Sequence, residues 1–395
     1  MEPRARLDSL DQLRGLVIVL MALDHVRDFF HAGSFQGENP LAVDRTSAVL
    51  YATRWVTHLC APTFVFLAGV GAYLRGQRDG RRALSRFLVT RGLWLCVLEL
   101  TVVAWLGWNL AFEPRVLGLK VIFALGASMI ALAAIAWLPR RAIAGLGAAI
   151  VALHNLTDGW VGPPLWRILH VQSRITEWSA VHVNVSYPVL PWLGVMLLGY
   201  AFGPVAEMAP ARRRRLLLGS GLGALALFAV LRGANLYGDP TPWRDHGDAL
   251  RDLGAILDVT KYPPSLAYVL VTLGVALVIW RALDAWPVAW LGVFGAVPMF
   301  VYLIHLPLVH ALSAVVHEVV QGDGGFLVGH RYVDGGGALI GHAFVHPASW
   351  PAHPGFSLGV VYVVWLGVLA VMYPLARWYA GVRRRHRDWW WLSYL

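Results

Sequence analysis

The sequence predicts an all-α, polytopic integral membrane protein of about ten transmembrane helices with both termini cytoplasmic. Three observations predict it. Hydrophobic residues make up 57% of the 395-residue chain and charged residues only 14%, against about 25% charged in a soluble domain, and the mean hydropathy is +0.57. Apolar stretches near the roughly 20 residues needed to cross a bilayer recur along the whole chain. The arginines collect in alternate short connections, as the positive-inside rule requires.

In chain order the expected spans are 9–30, 52–74, 84–106, 119–138, 141–155, 187–202, 216–231, 264–280, 287–312 and 358–380, forming one domain over 1–395. The first opens with Ser9 and Gln12 in capping-box spacing. The fifth is short and weak. Loops on the N-terminal side hold Arg75, Arg78, Arg81 and Arg82, then Arg140 and Arg141, Arg212 to Arg215, and Arg281, and the tail holds Arg383, Arg384, Arg385 and Arg387. An error in span five would invert the second half, and the Arg212–Arg215 run argues against that error. The first apolar run ends in charged residues rather than in a small-residue cleavage site, so no cleaved signal peptide is expected. The net charge of +10 is accounted for by topology, and no nucleic-acid partner is expected. Cys60 and Cys96 sit in apolar runs and read as reduced residues.

The chemistry concentrates in span one. Leu16 to Leu23 is uninterrupted and apolar, and Asp24, His25, Arg27, Asp28 and His31 then fill the last two turns. Ionisable groups inside a span are costly, face the protein interior and mark sites. Helical spacing puts Asp24, Arg27, Asp28 and His31 on one strip, with His25 within reach of Asp28. At 1.5 Å per residue, His25 lies roughly 22 Å from Leu10, within the outer leaflet. A histidine fixed by a carboxylate there has the ingredients of a general base. A salt-bridged helix end that locks spans together is the competing explanation. Other polar residues inside apolar runs are Arg54 and His58 in span two, Glu99 in span three, and His305 and His310 in span nine. Lys120 and Lys261, the only lysines, each stand at a span start on the arginine-poor side.

No spacing reads as a zinc site, and neither a phosphate loop nor a dinucleotide fingerprint is present. A nucleotide-containing cofactor would be met by Arg14 and the Arg75–Arg82 loop. The outer loops contain His170, Glu177, His182, His246, His330, His342 and His346 with several tryptophans. Loop polarity and interfacial placement account for these.

Ser9-Leu10-Asp11-Gln12-Leu13-Arg14-Gly15, with His25 eleven residues after the arginine, resembles the first helix of membrane acyltransferases of the acyltransferase-three type. Those proteins modify cell-surface sugars and end that helix in a histidine regarded as catalytic. Phe300 to Pro307 (FVYLIHLP) resembles their late histidine helix. The whole chain is closer to a sister group, the bacterial heparan-α-glucosaminide N-acetyltransferase-like proteins. The stretches WVTHLCAPTFVFLAG (55–69), YPVLPWLGVMLLG (187–199), TKYPPS (260–265) and RDWWWLSYL (387–395) carry that likeness. The resemblance implies a bacterial inner-membrane enzyme that moves an acetyl group from cytoplasmic acetyl-CoA to an amine or hydroxyl of a periplasmic or lipid-linked sugar. It is compatible with a homodimer. The lysosomal member has Asn where this chain has His25, and its catalytic histidine lies further on, so that His31 is the nearest counterpart by position. Both bases therefore stay open.

The expected catalytic group is His25 or His31, assisted by Asp24 or Asp28. Lys120, Lys261, His58 and His305 are candidate donors to the oxyanion. Spans one, two and nine would bound the cavity. A proton-coupled transporter or flippase using the same His/Asp cluster is the alternative function, against which the lack of inverted repeats counts. A scaffold whose buried charges only fix packing is a third.

Overall fold

The computed structural model describes residues 8–112, 116–175, 182–328, 354–386, 388–389 and 392. Each of the ten expected spans is occupied by helix. Helix α1 (Asp8–Phe30) matches span one, and a short turn α2 (Ala32–Phe35) follows it. Span two is a pair, α3 (Ala48–Thr57) and α4 (Cys60–Asp79), joined at His58 and Leu59. Span three is α5 (Arg81–Leu98) continued by a π-helix over Glu99–Asn109. After strand β1 (Val116–Leu119) come α6 (Val121–Ile135) and α7 (Arg140–Leu153).

The loop between spans five and six carries α8 (Pro164–His170), β2 (Ser173–Ile175) and β3 (His182–Val185). Then follow α9 (Val189–Phe202), α10 (Pro210–Gly233), a loop helix α11 (Ala249–Leu257) and α12 (Leu266–Ala285). Span nine is broken at Val297 into α13 (Ala289–Ala296) and α14 (Pro298–Gln321), and α15 (Leu358–Arg385) is the last. Pro298 explains the break: proline starts a helix readily but cannot donate to the preceding turn.

Among the described residues seven helices are long and apolar enough to cross a membrane: Ala48–Asp79, Arg81–Asn109, Val189–Glu207, Pro210–Gly233, Leu266–Ala285, Pro298–Gln321 and Leu358–Arg385. Helices α6 and α7 are shorter. Helix α1 stands apart because of its charges, and its position explains them. It is almost wholly buried and packs against α3, α4, α12, α13, α14 and α15. Its ionisable residues therefore face protein. Helices α10 and α15 are the most exposed to the surroundings, with 22% and 17% of their apolar windows buried.

Glycine permits the closest approaches. A Cβ on Gly295 of α13 would lie 1.7 Å from the Asp11 carbonyl oxygen, and one on Gly15 of α1 would lie 1.8 Å from that of Leu291. Such small-residue seams bring helices together where the surrounding lipid supplies no hydrophobic drive.

An ion network joins the ends of three helices. Asp284 in the last turn of α12 accepts from Ser9 at 3.1 Å, from Arg213 at 2.6 Å and from Arg214 at 2.9 Å. The starts of α1 and α10 therefore lie together beside the end of α12.

The three strands form a small sheet in the order β1-β3-β2, with β1 parallel and β2 antiparallel to β3. Leu119, Ile175, Val183 and Val185 make its core. These strands, α8 and α11 are additions to the helical body that the sequence reading left as loop. His330, His342 and His346 lie outside the described residues, as does Glu177.

Candidate active site

The last two turns of α1 hold a closed quartet of charge. Arg27 donates to Asp24 at 3.0 Å and to Asp28 at 2.6 Å. Arg54 of α3 donates to both oxygens of Asp24 at 3.2 Å, and Thr57 adds a bond to Asp24 at 2.9 Å. All four charged groups are buried. Two carboxylates and two guanidiniums balance, so the cluster is neutral and ties α1 to α3. Asp28 does not turn to His25, because its carboxylate oxygen is held by Arg27. This is the helix lock that competed with the catalytic explanation for these residues.

His25 is left out of that lock. Its Nδ1 lies 2.7 Å from Nε2 of His305 on α14, and the two rings are stacked with centroids 5.0 Å apart. His305 Nδ1 lies 2.9 Å from the Val301 carbonyl one turn earlier. A carbonyl only accepts, so His305 carries its proton on Nδ1 and presents Nε2 as an acceptor. His25 must then donate from Nδ1. The neutral ring keeps its lone pair on Nε2. Trp108 of the π-helix meets His25 edge-on at 5.5 Å and Tyr302 meets His305 at 5.7 Å, so both rings are walled by aromatics. A π-helical turn is a common device at functional sites.

His25 lines a cavity of about 580 Å³. Asp24, Thr57, Cys60, Tyr187, Tyr302 and Lys261 line it too. Arg14, Arg75, Arg78, Arg91 and Arg383 line the same cavity. Arg14 stands eleven residues before His25 on α1, which is roughly 16 Å along the axis. The cavity thus joins an arginine-rich end to a histidine. Between them the wall is apolar, with Met21, Phe64, Leu67, Phe87, Leu125 and Met129 among its residues. Arg14 is paired with Asp11 at 3.0 Å, and Arg75 and Arg78 share Asp79 at 3.2 and 2.6 Å. Arg75 also lies over the Phe87 ring at 3.8 Å.

Lys261 comes from the segment between α11 and α12. Burial pushes its ammonium down to about 7, and the Arg54 guanidinium adds to the effect. Its Nζ lies 5.1 Å from the Tyr262 ring and 5.9 Å from that of Tyr187.

Of the sequence-predicted residues, Asp24, His25, Arg14, Arg75, Arg78 and Lys261 line one cavity, and His305 stands directly behind His25. The others are placed elsewhere. His31 is half-buried and caps α2, accepting from the Gly33 N–H at 3.2 Å. His58 is buried at the α3–α4 joint, where its carbonyl accepts from the Tyr268 hydroxyl at 2.8 Å. Lys120 sits over the Trp108 ring at 3.2 Å and does not line the cavity. Arg81 donates to the Trp137 carbonyl at 3.2 Å, and neither it nor Arg82 lines the cavity. His310 meets two carbonyls, of Gly107 and Leu327, each at 2.8 Å, and is a clamp between α14 and its neighbours. The cavity is also wider than expected: α5, α6 and Tyr187 join spans one, two and nine in lining it.

Arg91, Arg383, Tyr187 and Tyr302 were missed. Arg91 lies nine residues past Arg82 within a span, and Arg383 lies in a tail that reads as topology. The tyrosines look like interfacial aromatics. Among the described residues one group could hold a metal ion, His154, Asp158 and His170; it is separate from this cavity.

A helical membrane protein in which a histidine and five arginines line one cavity has the build of a membrane acyltransferase. Residues 6–234 match the family model of heparan-alpha-glucosaminide N-acetyltransferase, catalytic. That is more than half of the chain, and the protein belongs to this family of membrane acetyltransferases. No curated protein matches the chain.

Proposed function

We propose that the protein transfers an acetyl group from cytoplasmic acetyl-CoA to an amine or hydroxyl of a sugar acceptor on the periplasmic side of a bacterial inner membrane. The observation that carries this is one cavity lined by five arginines and by His25, whose Nδ1 is engaged by His305. The arginines suit the phosphates of the coenzyme. The apolar wall over roughly 16 Å suits a pantetheine arm lying along α1. The thioester then reaches His25.

His25 Nε2 takes the proton of the acceptor as its nitrogen or oxygen attacks the thioester carbonyl. The C–S bond breaks as the tetrahedral intermediate collapses, and the proton passes from His25 to the departing thiolate. His305 accepts from His25 Nδ1 throughout, which fixes the ring and spreads the imidazolium charge. Lys261 is the donor for the oxyanion, because of the four candidates it alone lines the cavity. The same Nε2 serves an acetyl-histidine route; a burst of CoA release without acceptor separates it from direct transfer. The Asp24–Arg27–Asp28–Arg54 quartet holds His25 in place and takes no proton.

The test is acetyl-CoA binding to detergent-purified protein by calorimetry, together with turnover. Arg14→Ala is expected to weaken binding about tenfold, the loss of one charge-assisted contact. His25→Ala is expected to bind normally and turn over about 10²–10⁴-fold more slowly. Wild-type turnover by His25→Ala would end the scheme. No binding at millimolar acetyl-CoA, with proton-coupled solute flux in liposomes, would replace it with transport.

A further inference from the structure

We infer that the protein carries a divalent-cation site of the zinc class, distinct from the acyl-transfer cavity, made by His154, Asp158 and His170. His154 follows the last turn of α7, Asp158 lies one turn on, and His170 ends α8. The three candidate ligand atoms all lie within 4.8 Å of one another. His154 Nδ1 and His170 Nε2 are 3.1 Å apart, and Asp158 Oδ1 is 3.7 Å from His170 Nε2. Two nitrogens at about 2.0–2.1 Å from a tetrahedral zinc are roughly 3.3 Å apart. The histidine pair needs almost no movement to meet that spacing, and the carboxylate moves inward toward both nitrogens.

Hydrogen bonding alone leaves this group unsatisfied. One imidazole N–H serves the histidine–histidine contact in either tautomer. Asp158 Oδ1 is buried and has no hydrogen-bond partner. A buried carboxylate oxygen aimed at a nitrogen it cannot bond is costly, and a cation between the three atoms would coordinate all of them. His170 is 0% and His154 5% exposed, so the ligands are held rather than loose on a surface.

The surroundings are built in the same sense. Asn155 donates to Asp158 Oδ2 at 2.8 Å and fixes the carboxylate, while its own oxygen accepts from the Leu266 N–H at 2.9 Å. Trp166 stacks on the His170 ring at 5.1 Å. Thr157 Oγ1 lies 3.4 Å from His170 Nε2 and donates to the His154 carbonyl at 2.7 Å. Asn155 thus serves as the outer partner of the carboxylate ligand. Three protein ligands leave a fourth position for water. A bound ion would fasten α8 to the end of α7 and, through Asn155, to the start of α12.

The sequence hid this site because the ligands are spaced four and twelve apart, and α8 brings the third back to the first. The experiment uses the full chain in detergent, stripped with a chelator and then titrated with zinc alone by calorimetry. Cobalt substitution is followed by its visible absorption. One ion per chain at micromolar affinity or tighter is expected, with the intense visible bands of a tetrahedral cobalt site. Asp158→Asn and His170→Gln should each weaken binding at least tenfold, while His246→Gln, an outer-loop histidine paired with Asp44, should not. Monodisperse elution and unchanged melting in chelator would show that the variants fold. If they fail to fold, the wild-type stoichiometry and cobalt spectrum decide. Binding no tighter than millimolar, a weak octahedral cobalt spectrum, or equal affinity in Asp158→Asn would overturn the site.

Discussion

At the scale of the residue, the decisive feature is how hydrogen bonds divide the work among charges that stand side by side in the chain. Arg27 is the only guanidinium within bonding distance of Asp28 among the described residues. Arg27→Met should therefore destabilise the protein by about 3–5 kcal/mol, the cost of leaving a buried charge unpaired. The double variant Arg27→Met with Asp28→Leu should recover much of that. Thermal unfolding in detergent measures both. Lys261 belongs to the other set, aimed into the cavity. Its pKa falls from 10.5 to about 7 on burial, so the unfolded chain binds more protons between those values. Stability should rise with pH across that window, and the rise should vanish in Lys261→Met. In its role as a charged donor, Lys261 loses its proton above about pH 7. The rate profile should therefore carry a descending limb there, absent from Lys261→Met, whose kcat is low throughout.

At the scale of the element, α1 organises the molecule because it is enclosed by other helices. Its seam with α13 depends on Gly15 and Gly295, each of which meets a facing carbonyl oxygen. Gly295→Val should separate the two helices and cost about 1–3 kcal/mol by overpacking. It should also lower turnover more than Gly219→Ala, which meets nothing within 4 Å. Melting temperature and turnover together check this. The α13–α14 break and the π-helix of Glu99–Asn109 have a shared result. They bring His305 and Trp108 against His25 from two different helices.

At the scale of the whole molecule, the arginine distribution predicts that the starts of α1 and α10, which meet at Asp284, face the cytoplasm. Single cysteines in a background lacking Cys60 and Cys96 test this. An impermeant maleimide added to intact cells should label His246→Cys. It should reach Gln77→Cys and Ala211→Cys only after permeabilisation. Labelling of Ala211→Cys from outside would mean that α6 or α7 does not cross.

The sequence alone determined the helical membrane architecture, the ten stretches that become helices, and the family. Hydropathy and arginine placement are properties of composition along the chain, which a bilayer reads directly. It also determined that the end of α1 is special, since five ionisable groups in eight residues of a span require a buried partner set. It could not say which partners. His305 is 280 positions from His25, and no periodicity links them. Only the packing of α14 on α1 brought His305 to His25 and assigned the tautomers, while Arg27 holds Asp28 and the α3–α4 joint holds His58. The strands of three and four residues and the His154–Asp158–His170 cluster were decided by tertiary structure for the same reason. Their groups are isolated in the chain and acquire meaning only when folding sets them within a few ångströms of one another.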